Sequence, residues 1–272
     1  MSKVIFISGA SRGFGKIWAE AFLKEGHRVI ATARNTDTLS DLVSQYGNQL
    51  LPLRLDVNDR GAAAAAIKQA ADHFGRIDVL INNAGYGLMG AVEESSEEQA
   101  RGVMDTNFFG LLWLTQAVLP VMRAQNSGHI IQVASVLGLV TWPTIGLYNA
   151  SKYAVEGLSE TLAQEVKDFG VHVTIVEPGA YATDFGGSSA VHAAAIPAYD
   201  ELKAGFYAAI SGISLGKPEA TVDAILKLVN SNNPPLHFLL GKDALPLVKQ
   251  EYENRLSQWE AWKEVAIAAH GE

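Results

Sequence analysis

The 272 residues contain no cysteine. That excludes disulfides, a thiolate nucleophile and cysteine-ligated zinc, and it suits a reducing compartment. Positive charge is short. Twenty-one Lys and Arg face 29 Asp and Glu, a formal net charge of −8, which argues against nucleic acid or an anionic membrane as partner. A few local cations could still hold an anionic cofactor. No run approaches the roughly 18 apolar residues of a membrane helix. The first apolar run, Val4 to Ser8, is short and ends at Gly9, so it reads as a buried strand and not a signal segment. A cytoplasmic protein is expected. The seven histidines form no H-x-x-x-H or H-E-x-x-H pattern, so no metal is expected in catalysis. No Pro/Gly/Ser linker and no internal repeat divides the chain.

What is present is a hydrophobic content of 48% against 18% charged residues, enough for a sizeable core. Short β-rich runs at 4–8, 28–33, 50–56, 79–82, 129–134, 172–176 and 237–240 are mostly apolar on consecutive positions. Strands covered on both faces by helices show this pattern. Helical segments are expected between them at 15–25, 59–74, 96–107, 110–125, 148–169 and 218–231. Such alternation predicts an α/β fold: one Rossmann-type domain over 1–272, a doubly wound parallel sheet of about seven strands with helices on both faces. The Ala-, Gly- and Ser-rich stretch 180–217 lacks clear periodicity and reads as a substrate-binding lid. A helical tail at 245–269, carrying Tyr252, Trp259 and Trp262, is expected to pack on the core or on another subunit.

The first strand runs into Gly9-Ala-Ser11-Arg12-Gly13-Phe14-Gly15 and then a helix. Small residues let the backbone approach a pyrophosphate, and the helix start offers free N–H groups. The second strand ends Ala33-Arg34, where a dinucleotide fold selecting NAD(H) carries an acid for the ribose 2′-hydroxyl. An arginine there pairs instead with a 2′-phosphate, and Arg12 adds a second cation. NADP(H) is the expected cofactor. Gly9-x-Ser11-x-Gly13 also matches the nucleophile elbow of serine hydrolases. It follows the first strand, however, so no upstream loop can supply an oxyanion hole.

Ser135 precedes Tyr148 by thirteen residues, and Lys152 follows it by four. The i, i+4 spacing puts phenol and ammonium on one helix face. An ammonium favours phenolate, so Lys152 is expected to lower the Tyr148 pKa from about 10 and make it a usable acid or base. Ser135 can orient a carbonyl oxygen. An ordinary amphipathic helix would carry the same Y-x-x-x-K spacing, so the motif needs the rest of the chain.

Together the glycine turn, Ser135 and Tyr148-x-x-x-Lys152 resemble those of a classical short-chain dehydrogenase/reductase, in its retinol- and hydroxysteroid-dehydrogenase-like branch. The likeness runs from Val4 to about Gly241. It implies that Asp56-Val57 contacts adenine and that Asn83-Ala84-Gly85 lines the cofactor. It further implies that Pro178-Gly179 with Thr183 holds the nicotinamide carboxamide, and that Lys152 bonds the nicotinamide ribose. Asn107 matches the family's catalytic asparagine, which holds a water between Lys152 and solvent. Two small departures stand out: Ser8 replaces a common threonine, and Glu177 replaces Asn or Arg before Pro178. The implied reaction interconverts a hydrophobic ketone or aldehyde and its alcohol. Met89, Leu137, Leu139, Val140, Trp142, Tyr181 and Phe185 are expected to wall the substrate pocket or pack the lid. A silent NADP(H)-binding sensor, or a lyase or epimerase on the same fold, remains the alternative. A homodimer or homotetramer is expected by resemblance, through helices 110–125 and 148–169.

Overall fold

The computed structural model describes residues 2–187 and 189–271. Its amino-terminal half runs β1 (Val4–Ile7), α1 (Gly13–Lys24), β2 (Arg28–Ala33), α2 (Ser40–Tyr46), β3 (Leu50–Arg54), α3 (Arg60–Phe74) and β4 (Val79–Asn82). The chain continues through β5 (Leu88–Met89), α4 (Glu97–Met104), α5 (Leu111–Gln125), β6 (Gly128–Val133), α6 (Gly146–Val166) and β7 (Val171–Pro178). Then come β8 (Val191–His192), α7 (Asp200–Ile210), α8 (Val222–Asn230), β9 (His237–Leu240), α9 (Ala244–Ala261) and α10 (Lys263–Ala268).

Seven strands form one sheet in the order β3-β2-β1-β4-β6-β7-β9, every pair parallel. The anticipated doubly wound architecture is therefore present. All residues of β1 and β4 are buried, which is why β1 is an uninterrupted apolar run and β4 is apolar up to Asn82. On one face Trp18 and Phe22 of α1 pack with Ile225 and Val229 of α8 against the sheet. The fully buried Trp18 indole donates to Thr221 Oγ1 at 2.7 Å. Ile67 of α3, Leu114 and Val118 of α5, and Leu162 of α6 cover the other face. Between β1 and β4 the winding changes direction, and a crevice opens beyond the carboxyl ends of the strands.

Four features depart from the pattern read in the sequence. Helix α2 was not anticipated. It has seven residues, with Leu42 alone buried, too short to display a period. The helix expected over 96–107 stops at Met104, and a π turn over Asp105–Gly110 carries the chain directly into α5. The stretch 180–217 is more ordered than its composition suggests, since it contains α7 and β8. The tail does not pack into the core: Leu256, Trp259 and Trp262 are 60%, 65% and 69% exposed. Its first turn docks through Ala244, Leu247 and Val248, and further along Arg255 donates to the Tyr153 hydroxyl of α6. Among the described residues no helix is long and apolar enough to cross a membrane.

Candidate active site

The strand ends surround a cavity of about 1390 Å³. At its nucleotide end, Gly9 and Gly13 take positive φ values of 70° and 53°. A Cβ on Gly9 would sit 2.9 Å from Ala84 Cα, whereas one on Gly13 would meet nothing nearer than Thr183 at 4.0 Å. Gly9 is thus dictated by packing against the Asn83-Ala84-Gly85 turn, and Gly13 leaves open space over the start of α1. Gly15 lies behind the wall: a Cβ there would be 2.3 Å from the Gly9 carbonyl, so the helix start packs on the turn itself. Ser8, the departure from threonine, keeps the hydroxyl's work. Its Oγ accepts from the N–H groups of Asn83 (3.0 Å) and Ala84 (3.1 Å), while Asn83 Nδ2 donates to the Ser8 and Gly9 carbonyls.

Gly9, Ser11, Arg12, Gly13, Phe14, Arg34, Asp56, Val57, Asn83, Ala84, Gly85, Pro178, Gly179 and Thr183 line this cavity. Helix α1 has no side-chain cap at Arg12, which leaves first-turn N–H groups for an anion. Arg34 is exposed at the rim. Arg12 instead pairs with Asp184 in the lid at 2.8 Å.

At the other end, Ser135, Tyr148 and Lys152 share the wall and are 8%, 5% and 6% exposed. The start of α6 carries Tyr148 and Lys152, and Ser135 ends the strand–turn after β6. Burial pushes Tyr148 well above its ordinary range, while a hydrogen bond with Ser135 pulls it down. The lowering expected from Lys152 does not arise: Ser135 is the group that lowers it, and desolvation is the larger effect. Lys152 is itself pulled down to about 8 by burial, opposed by Glu156. Its Nζ donates to the Val133 carbonyl at 2.7 Å and lies 5.7 Å from the Tyr148 ring centroid. Asn107 is fully buried in the π turn rather than on the wall. Its amide brackets the Tyr86 backbone, donating to the carbonyl and accepting from the N–H, each at 3.0 Å, and donates to Ser151 Oγ at 3.1 Å. A Cβ on Gly85 would touch Asn107 Oδ1 at 3.0 Å and Lys152 Nζ at 3.8 Å. Asn107 thus sits one glycine away from the lysine. Turns of this π type often mark functional sites.

Met89, Leu137, Trp142, Tyr181 and Phe185 line the cavity. Phe185 tilts against Tyr148 with centroids 4.9 Å apart, and Tyr181 meets Phe14 edge-on at 5.3 Å. Leu139 and Val140 are not on the wall but buried in a cluster beside it. Sequence reasoning missed Phe206, Ile210, Ile213 and Leu215 of the lid, which also line it. The i, i+4 pair Phe206 and Ile210 was the available signal. Phe206 meets Trp142 edge-on at 5.8 Å, so lid and Ser135–Tyr148 spacer close over one apolar space.

A buried carboxylate latches the stretch 180–217. Glu94 accepts from the N–H groups of Ile196 and Ala91, each at 2.7 Å, and pairs with Lys203 of α7. These bonds, that from Ile196 first, hold its pKa down at about 2, against an ordinary 4.5. A depressed carboxylate contributes above its unfolded pKa, and the contribution disappears as pH falls from 4.5 toward about 2. Amide exchange at Ile196, corrected for intrinsic pH dependence, should therefore accelerate across that window. Glu94→Gln should exchange several-fold faster at pH 7 and show no such dependence. A variant with unaltered protection would remove the latch.

Parallel strand order, an uncapped helix facing a glycine turn, and Ser, Tyr and Lys on one wall together define a nucleotide-binding α/β protein. A model of the short chain dehydrogenase family matches residues 3–192. The chain is 38% identical to Oxidoreductase BOA17 of Botryotinia fuckeliana over 99% of this chain and all of that one. A short-chain dehydrogenase structure from Streptomyces avermitilis superposes with TM-score 0.92 at 36% identity, covering 98% of both chains. Two Burkholderia short-chain dehydrogenases are also similar. That of B. phymatum, in complex with NAD, has TM-score 0.82 and 26% identity over 94% of this chain and 95% of its own. That of B. cenocepacia, in complex with NADP, has 0.76 and 27% over 96% and 97%. The chain belongs to the short-chain dehydrogenase family and is an oxidoreductase of that family. A nicotinamide dinucleotide fits the residues present: open backbone over the α1 start, a cation at the end of β2, and polar groups beside Tyr148.

Proposed function

We propose that this protein is an NADP(H)-dependent oxidoreductase that interconverts a hydrophobic ketone or aldehyde and its alcohol, with Tyr148 as general acid and base. The observation that carries the reading is the meeting of Ser135, Tyr148 and Lys152 with the glycine turn on one cavity wall. The dinucleotide would lie along Gly9, Ser11–Phe14, Arg34, Asp56-Val57, Asn83–Gly85 and Thr183, and when bound it supplies or accepts the hydride. The chain's own part is proton placement and orientation. Tyr148, held protonated at neutral pH by its burial, is in the state required to give a proton to a carbonyl oxygen. Ser135 directs that oxygen toward it as negative charge develops. Lys152 and Asn107 stand behind the tyrosine as the route by which its proton is replaced. Met89, Trp142, Phe185 and Phe206 enclose an apolar substrate and exclude water. The lid over 180–217 belongs to the same nucleotide-binding unit. Pairing of α5 and α6 with another copy would give the homo-oligomer.

The reading is tested by following loss of reduced-nicotinamide absorbance with NADPH across hydrophobic ketones and aldehydes. Tight NADPH binding with no consumption on any of them would favour a cofactor sensor instead.

Cofactor preference rests on Arg34, because Arg12 is already engaged by Asp184. A charge-assisted bond is worth about 1.5–3 kcal/mol. Arg34→Ala is therefore expected to weaken NADPH binding about ten- to a hundredfold and NADH binding little. Equal losses for the two, measured by fluorescence titration, would refute the preference.

A further inference from the structure

One turn further along α6 than Lys152, outside the cavity wall, a second polar cluster joins that helix to β7 and β9. Glu156 and Glu160 stand one turn apart on α6, four residues after Lys152 and eight after Tyr148. His237 opens β9, and Glu177 lies near the end of β7. One ligand atom each from Glu156, Glu160 and His237 lies within 4.8 Å of the others. None of these four residues lines the substrate cavity.

Glu156 is what makes this more than a charged surface. It is 4% exposed, and neither carboxylate oxygen has a hydrogen-bond partner. Ionised, it would be a buried charge with no hydrogen bond, met only through space by Lys152 and by His237 Nδ1 at 3.9 Å; protonated, it would bury an O–H without an acceptor and a C=O without a donor. A cation that takes the proton's place and accepts a lone pair from the carboxylate removes the conflict. The histidine is prepared for one. Its Nδ1 is 2.7 Å from Glu177 Oε1, and Glu177 is fully buried. That bond fixes the ring and the tautomer: Nδ1, which also lies 3.9 Å from Glu156 Oε2, is occupied by Glu177, and Nε2 keeps its lone pair 3.7 Å from Glu160 Oε1. A carboxylate behind a histidine that faces further carboxylates is the usual support of a metal-ligating imidazole.

We propose that Glu156, Glu160 and His237 bind a divalent first-row cation of the zinc or manganese class, with Glu177 as the positioning residue for His237. One imidazole and two carboxylates make an N,O donor set with room for water. Bonds of about 2.0–2.2 Å require the donors to close in. Glu160, 49% exposed, can do so by side-chain rotation toward the imidazole that Glu177 holds. The cation would tie α6 to β9. It would also brace the turn after Ser135, because a Cβ on Gly138 of that turn would lie 2.8 Å from Glu156 Oε1.

Tag-free, chelator-treated protein is titrated calorimetrically with Zn²⁺, and Mn²⁺ binding is followed by electron paramagnetic resonance. One equivalent should bind and raise Tm. Glu160→Gln and His237→Gln should each lower affinity at least about tenfold. Glu177→Gln, which removes no ligand, should lower it about ten- to a hundredfold. His73→Gln, a change at an exposed histidine on α3, should bind as the parent does. Circular dichroism melts establish that each variant is folded. Absence of one-equivalent binding by the parent, or its retention in the Glu160→Gln/His237→Gln double variant, overturns the site. Neither readout depends on turnover.

Discussion

Tyr148→Phe is expected to lower kcat by about 10²- to 10⁴-fold, the usual contribution of a positioned general acid. Cofactor affinity should stay within about twofold of the parent, because the ring and its contact with Phe185, centroids 4.9 Å apart, survive the change. Removing the hydroxyl also deletes the hydrogen bond with Ser135. Ser135→Ala is therefore a necessary companion: it should lose less, since Tyr148 can still deliver the proton. Steady-state rates and NADPH titrations on the two variants decide the matter. A Tyr148→Phe enzyme turning over near the parental rate would falsify the acid assignment. A variant that lost cofactor and rate together would instead point to a positioning role.

Lys152→Met should depress both turnover and cofactor affinity, each by about tenfold or more, as loss of a charged hydrogen-bonding group predicts. It should have the opposite effect on stability. Lys152 is 6% exposed, and burial pulls its pKa from 10.5 down to about 8. Below about pH 8 the folded protein carries a charge that burial disfavours. Between about 8 and 10.5 the unfolded chain holds a proton that the folded chain has released, so parental stability climbs with pH across that window. Methionine keeps the stem and removes the charge. The variant should be the more stable at pH 7, with the difference shrinking toward pH 10.5. The interval corresponds to at most about 3 kcal/mol, less the lost bond to Val133. Denaturant melts at several pH values test this, and a pH-independent difference would show that the lysine is not strained by burial.

These effects depend on placement, and the two ends of the cavity were not equally legible. The glycine turn, Arg34, Tyr148 and Lys152 could be read because each follows from local chemistry at a strand end or on one helix face. Lid residues Phe206, Ile210, Ile213 and Leu215 were hidden, because their period is broken by loops and their partner Trp142 is 64 residues from Phe206. Gly15 could not be separated from Gly13 by motif; only the approach of the Gly9 carbonyl shows which glycine serves packing. The direction of the Tyr148 shift was also out of reach. Spacing announces a neighbouring ammonium but not how deeply both groups are buried, and desolvation was the larger effect.

Sequence alone determined the parallel α/β order and that Ser135, Tyr148 and Lys152 belong together, as their shared cavity wall reflects. Periodicity and helix-face spacing are local properties that persist through folding. Tertiary structure decided what depends on distant segments meeting. Arg12 is drawn to Asp184, Glu94 latches the stretch 180–217 through Ile196 and Lys203, and Asn107 is buried in a π turn behind Gly85. Glu177, which looked like a minor departure beside Pro178, became the buried partner of His237 60 residues away. Burial and long-range contact set its electrostatics, and neither is written in the spacing of its neighbours.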